Sequence, residues 1–424
     1  MIRYLRGLPP GIMGGLQRSA FRRVVKRAAA KSAYYRERFR ALGLDPQAVK
    51  GPADLGGYFL TSEELRKDPR SFLCGKPDLA VESSGTTGHA ATVFLSQKEL
   101  EYNARQGVLL RAVYDLKKED RVLSTFDHGF CLDGVIAQKM LSRWNTFGMC
   151  VGRVDPGEIY DRLPLYGFNV LMSGTPWLAR FTEVAQKRGR PYPLKLLLGG
   201  GGGGITGWTR SWIEEFWEAP LCMTYASTEV ATVLGFECLR RNGYHLNEFD
   251  FLVEIVDPDS EGYGEVIVST LSREVMPLIR YRTRDVARFM EGDCPCGLPF
   301  RRLSSIRGRS DEIVASVWGN VHPDFFEGIL AEVPGLSDDW QVALKEKNGK
   351  QVFEFRLEAQ NGSLNPEEVE RQVLMSVEAK NQLAWLAYTQ QLAGVEFVFT
   401  PRGSLRKGRK LLRLVDERSG AGRP

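Results

Sequence analysis

Between about residues 51 and 290, the sequence alternates short strand-like apolar runs with longer stretches of helical spacing. Strand-like runs occur at 121–125, 169–173 and 194–198, and a polar-faced helical pattern covers 208–217. Strands that alternate with helices are typical of an α/β layer structure whose strands are mostly parallel. The pattern therefore predicts an α/β fold with a largely parallel sheet and with ligands bound at the strand ends.

The character of the sequence changes after about residue 311. Segments 341–346 and 351–357 alternate apolar and polar residues around Asn348-Gly349, a hairpin signal, and a helix from Pro366 and a strand over 395–400 follow. With 424 residues and 43% apolar content, the chain is long enough for two or more units. We predict a large N-terminal domain over residues 1–310 and a small α+β C-terminal domain over residues 311–424.

The net charge and the lengths of the apolar runs argue against several classes of protein. The net charge is only +5 and the basic residues are spread along the chain, so nothing indicates a nucleic acid or a membrane as partner. No apolar run is long enough for a secretory signal or a membrane span, which predicts a cytoplasmic protein. Seven cysteines, an odd number, favour reduced thiols or a metal site over a disulfide framework.

Residues 16–40 carry apolar side chains at helical spacing among many arginines and lysines. This is typical of an amphipathic helix with a solvated basic face, and contact with a phosphate group is the competing interpretation. Such an arm can pack on its own domain or on a neighbouring copy, so a homodimer is one of the arrangements considered.

The segment Val81-Glu-Ser-Ser-Gly-Thr-Thr-Gly-His-Ala90 concentrates hydroxyls and glycines. Glycines let the backbone approach an anion, and the hydroxyls add donors to the backbone N–H groups, so the segment is suited to holding a polyphosphate. It lacks the lysine and the spacing of the Walker loop of nucleotide hydrolases. A polar surface turn between strands is the alternative interpretation.

Three further segments carry candidate site residues. In Tyr225-Ala-Ser-Thr-Glu229 an aromatic ring that can stack on a purine is followed by a carboxylate that can hold Mg²⁺, or else the pair is a core tyrosine and a surface glutamate. Asp285 can accept hydrogen bonds from two ribose hydroxyls, unless it belongs to a salt bridge. The charged turn Arg307-Gly-Arg-Ser-Asp-Glu312 is either a hinge with ligand contacts or an ordinary linker.

In this order and at these separations, the segments resemble the adenylate-forming superfamily of acyl-CoA ligases, and specifically its phenylacetate-CoA ligase-like branch. The resemblance runs from Tyr34-Tyr-Arg-Glu-Arg38 to the basic tail near Arg418. Cys294-Pro-Cys-Gly297 and Gly319-Asn-Val-His-Pro323, which are typical of the branch, sharpen it.

The resemblance implies a fold of a large N-terminal adenylate-forming domain with mostly parallel sheets and a small mobile α+β C-terminal domain. It also implies an activity, in which ATP and Mg²⁺ convert a carboxylic acid to an acyl-adenylate and the acyl group then passes to a thiol such as CoA, while the small domain rotates about a hinge. The implied residues are the phosphate loop Ser83, Ser84, Gly85, Thr86, Thr87 and Gly88, the adenine neighbour Tyr225, the phosphate contact Thr228, the Mg²⁺ ligand Glu229, the ribose contacts Asp285 and Arg309, and the hinge Asp311.

The sequence departs from the pattern of the family at several points. His89 stands where a lysine is usual, Arg284 where a glycine precedes the ribose aspartate, and six glycines occupy 199–204 in place of a Gly-Ala-Glu-like sequence. The tail Ser404-Leu-Arg-Lys-Gly-Arg-Lys-Leu-Leu-Arg413 does not keep the usual lysine motif. Counted back from Asp416 the catalytic position falls on Lys410, and counted from Gly408 it falls on Arg409. Lys410 is preferred, and Lys407 is the second candidate.

Two further groups carry hypotheses. Cys238, His245, Cys294 and Cys296 offer the three thiols and one imidazole of a structural tetrahedral Zn²⁺ site, with reduced structural thiols as the alternative. Phe126, His128 and Phe130 form a glycine-flanked aromatic cluster that suits a pocket for an aryl or other flat carboxylic acid.

Three functions are therefore weighed. The first is ATP-dependent activation of an acid, with an aromatic acid favoured, and transfer to CoA. The second keeps the adenylation but passes the acyl group to an amine, a hydroxyl or a carrier protein. The third is a degenerate relative that binds nucleotide without turnover, which the changed residues His89 and Arg284 favour and the retained Glu229, Asp285 and Arg309 oppose.

Overall fold

The structure, a computed structural model, describes residues 11–83, 90–152, 154–189, 191–200, 205, 207–310, 314–347, 350–360, 362–406 and 411–418. The chain divides into two compact units. The first comprises Met1–Gly202, Trp212–Thr283 and Ala287–Ser305, and the second comprises Gly203–Ser211, Arg284–Val286 and Ile306–Pro424. In the described ranges, no helix combines the length and the apolar content that crossing a membrane requires.

The described helices are α1 Ile12–Lys31, α2 Ala33–Ala41, α3 Ser62–Lys67, α4 Gln97–Val113, α5 Asp133–Trp144, α6 Pro156–Tyr166, α7 Thr175–Lys187, α8 Gly207–Trp217, α9 Pro323–Leu330, α10 Pro366–Lys380 and α11 Gln382–Thr389. The described strands are β1 Leu79–Glu82, β2 Thr92–Leu95, β3 Arg121–Ser124, β4 Phe147–Cys150, β5 Val170–Gly174, β6 Leu196–Gly200, β7 Leu221–Ser227, β8 Thr232–Phe236, β9 Tyr244–Leu246, β10 Phe251–Val256, β11 Gly264–Thr270, β12 Tyr281–Ala287, β13 Phe289–Met290, β14 Arg302–Leu303, β15 Gly308–Arg309, β16 Val314–Ser316, β17 Gly319–Val321, β18 Leu336–Lys347, β19 Lys350–Ala359, β20 Ala393–Thr400 and β21 Leu414–Asp416.

A nine-stranded sheet dominates the first unit, with the order β13-β14-β9-β8-β7-β6-β5-β3-β4. Strands β4, β3, β5, β6 and β7 are parallel, and β8, β9, β14 and β13 extend the sheet antiparallel. The central strands β5 and β6 are apolar runs buried along nearly their whole length, because helices cover parallel strands on both faces. The predicted α/β fold is confirmed, and the large sheet is mixed, because only the half from β4 to β7 is parallel.

The N-terminal basic segment forms two helices, so the prediction of one continuous helix over 16–40 is wrong. The helix ends at Ser32, whose backbone is extended with ψ 134°. The Ser32 hydroxyl accepts a hydrogen bond from the Tyr35 N–H at 3.3 Å and donates to the Ser71 carbonyl at 2.8 Å. A serine in this role starts a new helix, so α2 begins directly after α1 ends.

A second sheet has the order β10-β11-β12-β15. β10 and β11 pair antiparallel, and Asp285 and Val286 of β12 pair with Arg309 and Gly308 of β15. These four residues belong to the second unit. The pairing therefore brings two of the predicted nucleotide contacts side by side.

The remainder of the second unit is built on a four-stranded sheet with the order β20-β19-β18-β21. β18 and β19 form the predicted antiparallel hairpin, while β20 and β21 add parallel at the two edges. Helix α10 begins at Pro366, as predicted, with the Asn365 side chain accepting from two backbone N–H groups at its start. Buried aromatic side chains, including Trp318 stacked on Phe353 at 3.8 Å between ring centroids, form the core between sheet and helices.

Candidate functional site

The carboxyl ends of β3, β5, β6 and β7 form a polar edge of the large sheet. The hydroxyls of Thr125 and Ser173 are buried and 2.5 Å apart, and the Thr224 hydroxyl donates to the Gly199 carbonyl at 3.1 Å. Ligands of open parallel sheets bind at such strand ends. Sequence reasoning did not single out these three hydroxyls, although each one ends an apolar strand run or directly follows one.

Gly200, the last residue of β6, is closely surrounded by the side chains of Thr224 and Phe126. A Cβ at this position would come within 2.5 Å of Thr224 Oγ1 and 3.6 Å of Phe126 Cζ. The Phe126 ring therefore lies against the end of β6, next to the polar edge. Glycines 201–204 of the predicted glycine run lie outside the described residues.

Strand β7 and the turn that follows it carry three of the predicted site residues. Tyr225 is buried within β7 and its ring centroid lies 6.0 Å from that of Tyr244. Thr228 and Glu229 follow in the turn that leads into β8, and both are half-buried. The Glu229 carboxylate makes no hydrogen bond or ion pair with another residue in the part of the chain that the structure describes. The structure thus brings a buried aromatic ring and an available carboxylate to one strand end.

The loop after β3 holds the other two predicted pocket residues. His128 is exposed, and its ring lies beside Gly134, where a Cβ would approach Cδ2 to 2.8 Å. Phe130 is 82% exposed, and its carbonyl accepts a hydrogen bond from the Glu82 N–H at 2.8 Å. The loop is therefore tied to β1 through its backbone. Pocket roles for Phe126, His128 and Phe130 stay predictions.

Ser83 is the described member of the predicted phosphate loop. It exchanges two hydrogen bonds with Ala91, since its N–H donates to the Ala91 carbonyl at 2.9 Å and its hydroxyl accepts from the Ala91 N–H at 2.8 Å. These bonds close the base of the loop between β1 and β2. Ser84, Gly85, Thr86, Thr87 and Gly88, and also His89, lie outside the described residues.

In the second unit, the predicted ribose contacts face each other. Arg309 Nη1 lies 3.9 Å from Asp285 Oδ1, across the pairing of β12 with β15. The residue before Asp285 has a left-handed backbone, because Arg284 has φ 66°. Glycine, which the family resemblance leads us to expect at this position, adopts this conformation without steric cost. Arg284 therefore differs from the expected glycine in its side chain but has the left-handed backbone that glycine favours.

The predicted hinge Asp311 and the predicted catalytic lysines Lys410 and Lys407 lie outside the described residues. The turn that precedes the lysine segment is anchored by Glu358, a fully buried carboxylate. Its oxygens accept hydrogen bonds from the Gly403 N–H at 2.6 Å and the Leu405 N–H at 2.8 Å. Sequence reasoning missed this anchor, because Glu358 occupies an ordinary alternating position of a strand.

The four predicted zinc ligands come together. One ligand atom from each of Cys238, His245, Cys294 and Cys296 lies within 4.8 Å of all the others. Cys238 Sγ and Cys294 Sγ are 3.7 Å apart, and Cys296 Sγ and His245 Nε2 are 3.3 Å apart. Two thiolates on one tetrahedral zinc, at Zn–S distances of about 2.3 Å, are separated by about 3.8 Å. The spacing of the donor atoms therefore fits a tetrahedral ion.

The surroundings of these four residues shift their pKa values in different directions. Burial, reinforced by the Arg302 guanidinium and opposed by the Phe300 backbone, lowers the pKa of His245 to about 4, so its ring is neutral at pH 7. Burial raises the pKa of Cys238 and raises that of Cys296 to about 12. Burial also opposes ionisation of Cys294, but hydrogen bonds from the Cys296 backbone and from the two neighbouring thiols lower its pKa. The neutral imidazole of His245 is thus available to a cation, and Cys294 is the thiol of the three whose ionisation its surroundings favour.

Comparison of the sequence with known proteins finds relatives that align with most of the chain. No protein-family model matches it. The phenylacetate-coenzyme A ligase of Thermus thermophilus is 27% identical over 373 residues, which cover 84% of this chain and 83% of that protein. The enzymes of the same name from Pseudomonas putida and Escherichia coli are 25% and 26% identical over 84% and 82% of the chain.

Comparison of the fold identifies solved structures of acyl-CoA ligases. 2-Hydroxyisobutyryl-CoA ligase, solved in a postadenylation state with an acyl-AMP, has a TM-score of 0.78 at 15% identity and covers 95% of this chain and 89% of that one. O-succinylbenzoate coenzyme A synthetase from Bacillus subtilis, solved with ATP and a magnesium ion, has a TM-score of 0.57 at 16% identity and covers 79% and 68%. The chain therefore has the fold of these ligases.

Proposed function

Because the chain is a relative of the phenylacetate-CoA ligases in the adenylate-forming superfamily, we propose that it activates a carboxylic acid with ATP and passes the acyl group to CoA. The observation that carries the proposal is the extent of the resemblance, which covers 84% of the chain and 83% of the Thermus enzyme. An aromatic acid is favoured, because the relatives are named for phenylacetate and the Phe126 ring lies at the strand ends.

The reaction has two steps. A carboxylate oxygen attacks the α-phosphorus of ATP, the bond to the bridging oxygen breaks, and pyrophosphate leaves an acyl-adenylate. A thiol then loses its proton and attacks the acyl carbon, the bond to the phosphate oxygen breaks, and AMP leaves with the thioester formed. In both steps negative charge on phosphate oxygens must be stabilised. Hydrogen-bond donors and cations that are already in position supply this stabilisation.

The chain's own residues supply groups for these tasks. Tyr225 would pack against the adenine and the Thr228 hydroxyl would donate to a phosphate oxygen. Asp285 would accept hydrogen bonds from the ribose hydroxyls, and Arg309 would be the second ribose contact. Lys410, with Lys407 as the second candidate, would supply a mobile ammonium to the phosphate during adenylation, and Asp311 would act as hinge.

Glu229 is the residue that would hold Mg²⁺. Its carboxylate fits the ion, because it is half-buried at a strand end and makes no hydrogen bond or ion pair within the described residues. When bound, Mg²⁺ neutralises charge on the polyphosphate. The task of Glu229 is to place a single negative charge where the nucleotide enters.

We also propose that Cys238, His245, Cys294 and Cys296 hold a structural Zn²⁺. The proposal is supported by their mutual distances, within 4.8 Å, and by the burial of three of them. A closed site with four protein ligands leaves no position for a substrate, so its role is to tie β9 to the segment before β14. All seven cysteines are free thiols in the structure, which supports a reducing compartment such as the cytoplasm.

The test is acid-dependent exchange of labelled pyrophosphate into ATP across a panel of aryl and short carboxylic acids, first without CoA. Exchange with an aryl acid, followed by thioester formation when CoA is added, is the expected result. Exchange without any thioester would identify an amine, a hydroxyl or a carrier protein as acceptor instead. Absence of exchange with every acid, in protein that binds ATP, would overturn the proposal in favour of a nucleotide-binding relative without turnover.

The lysine assignment has its own test. Lys410→Ala is expected to lower the exchange rate by about a hundredfold or more, since a charge that stabilises the transition state is lost, while Lys407→Ala lowers it less. A larger loss in Lys407→Ala would reverse the assignment, and full exchange in the double variant would remove both lysines from the mechanism.

A further inference from the structure

The turn that carries Thr228 and Glu229 is held by two buried side chains from distant parts of the chain. Arg273 Nη1 donates to the Glu229 carbonyl at 2.6 Å, and Asn103 Nδ2 donates to the Ala231 carbonyl at 3.0 Å. Both side chains belong to residues that are only 4% exposed. The backbone on the C-terminal side of the Glu229 carboxylate is therefore fixed at two points by groups that water does not reach.

The turn itself is strained. Ala231 has φ 60°, a left-handed conformation that costs a non-glycine residue about 1 kcal/mol. Its N–H is shared between the carbonyls of Ser227 at 3.2 Å and Thr228 at 3.0 Å. A strained backbone persists only where its surroundings hold it, and Asn103 and Arg273 supply hydrogen bonds from outside the turn.

Arg273 also contacts a second part of the predicted nucleotide site. Its Nη2 donates to the Phe94 carbonyl at 3.2 Å, in the strand β2 that follows the predicted phosphate loop in the sequence. One planar guanidinium thus joins the backbone of β2 to the backbone of Glu229. A lysine has no such fork of donors and cannot reproduce both contacts in the same geometry.

The position of Arg273 is fixed in turn by Glu99 on α4. The buried Glu99 carboxylate accepts hydrogen bonds from the N–H groups of Glu274 at 2.7 Å and Val275 at 3.0 Å. Burial lowers the pKa of Arg273 to about 10, with the Glu99 charge opposing the shift, so the guanidinium remains charged at neutral pH. A buried cation held in this way is costly unless its hydrogen bonds are made, so its two carbonyl contacts are strongly favoured.

We propose that Arg273 is a positioning residue for Glu229, which with Asn103 sets the direction of the carboxylate toward Mg²⁺ and the phosphates. The role given to Glu229 rests on the proposed function, whereas the hydrogen bonds are taken from the structure alone. It predicts that weakening the hydrogen bond from Arg273 to the Glu229 carbonyl changes the Mg²⁺ dependence of adenylation and leaves the binding of the acid unchanged. Neither Arg273 nor Asn103 touches a reacting atom in this role.

The test compares Arg273→Lys and Asn103→Asp with a matched control, Arg280→Lys. Arg280 is also buried and also donates to backbone carbonyls, including that of Gly56, but it does not contact the turn. We expect the apparent affinity for Mg²⁺ in pyrophosphate exchange, at saturating ATP, to fall about tenfold in the two test variants, the effect typical of groups that orient a metal ligand. The KM for the acid is expected to stay within about twofold. Arg280→Lys should lower the melting temperature without changing the Mg²⁺ dependence.

A second readout does not require turnover. Amide hydrogen exchange of a peptide covering residues 225–233, in ligand-free protein, should accelerate about tenfold or more in both test variants and not in Arg280→Lys. Unchanged amide exchange would overturn the inference. Faster amide exchange with unchanged Mg²⁺ dependence would overturn it as well, because the side chains would then be structural only.

The two proposals fail in different ways. If the wild-type protein shows no pyrophosphate exchange with any acid, the proposed function fails. The affinity for Mn²⁺ in the presence of ATP, followed by electron paramagnetic resonance, then replaces the Mg²⁺ dependence in the same comparison. Equal Mn²⁺ affinity in the wild type and in Arg273→Lys would overturn the positioning role, and weaker affinity in the variant would uphold it.

Discussion

Asp285 and Arg309 face each other across two paired strands of the second unit, with 3.9 Å between the nearest carboxylate oxygen and guanidinium nitrogen. The arrangement leaves a fixed anion beside a fixed cation, which suits a diol that donates to the one and accepts from the other.

We expect Asp285→Asn to raise the KM for ATP by about tenfold and to leave the KM for the acid nearly unchanged, because a charge-assisted acceptor for the ribose hydroxyls is weakened. Steady-state exchange kinetics with ATP and with 2′,3′-dideoxy-ATP would check this. The variant and the wild type should differ little with the dideoxy nucleotide, and an equally large difference there would argue against the ribose role.

Arg284 permits a test of backbone strain in isolation. Arg284→Gly and Arg284→Ala both remove the side chain and all its contacts, so their difference reports the left-handed φ of 66° alone. We expect the glycine variant to be more stable than the alanine variant by about 1 kcal/mol. Urea unfolding measures the difference, and equal stability would show that the backbone relaxes at this position.

Glu229→Gln should abolish most of the adenylation, with a loss of about a hundredfold or more in exchange rate, because a neutral amide holds a divalent cation poorly. The melting temperature should not fall, since the carboxylate has no protein partner in the described residues to lose. The exposed Glu215→Gln, on α8, is the matched control and should behave as wild type. Retention of activity in Glu229→Gln at limiting Mg²⁺ would contradict the metal role.

The purified protein should contain about one zinc per chain, as measured by plasma mass spectrometry, since its donor set is that of a closed structural site. Cys294→Ser should lose the metal and melt at a lower temperature, because metal binding contributes directly to folding. Cys150→Ser, a thiol outside the cluster, should keep the metal. Zinc-free wild-type protein with an unchanged melting temperature would leave reduced thiols as the correct interpretation.

Metal-free protein should lose stability as the pH falls from about 6.5 to about 4. The folded state keeps His245 neutral down to a pKa of about 4, whereas the unfolded chain takes up the proton near pH 6.5, so acid favours unfolding in this window. The loss is expected to be of order 2–3 kcal/mol at most. Urea unfolding at a series of pH values, compared with metal-free His245→Gln, isolates the effect, and parallel curves for the two proteins would refute it.

The sequence was sufficient for the central architecture because the decisive patterns are local. The apolar runs of β5 and β6 and the cap at Asn365 each determine their element within a few residues. The break at Ser32 was missed, although the serine caps α2 locally through the Tyr35 N–H. Its other bond, to the Ser71 carbonyl far along the chain, is not visible in the sequence.

The same difference between local and long-range features applies to the candidate site. Glu229 and Asp285 were proposed from short motifs, since the chemistry of a motif is contained in its own residues. Arg273 and Glu358 were not, because each is defined by what it reaches across the fold, and neither the distance nor the burial is visible in the sequence. Long-range hydrogen bonds to backbone groups leave no pattern of residue types.

The absence of a side chain at Gly200 limits how the specificity of this protein can be redesigned. A Cβ there would meet Thr224 Oγ1 at 2.5 Å, so even alanine requires the Thr224 side chain to move and disturbs its hydrogen bond to the Gly199 carbonyl. Phe126, whose ring edge is the other close neighbour, belongs to a loop and is only partly buried, so it tolerates exchange. For an acid pocket that includes Phe126, as proposed, libraries meant to broaden the range of accepted acids should therefore vary Phe126 and leave Gly200 untouched.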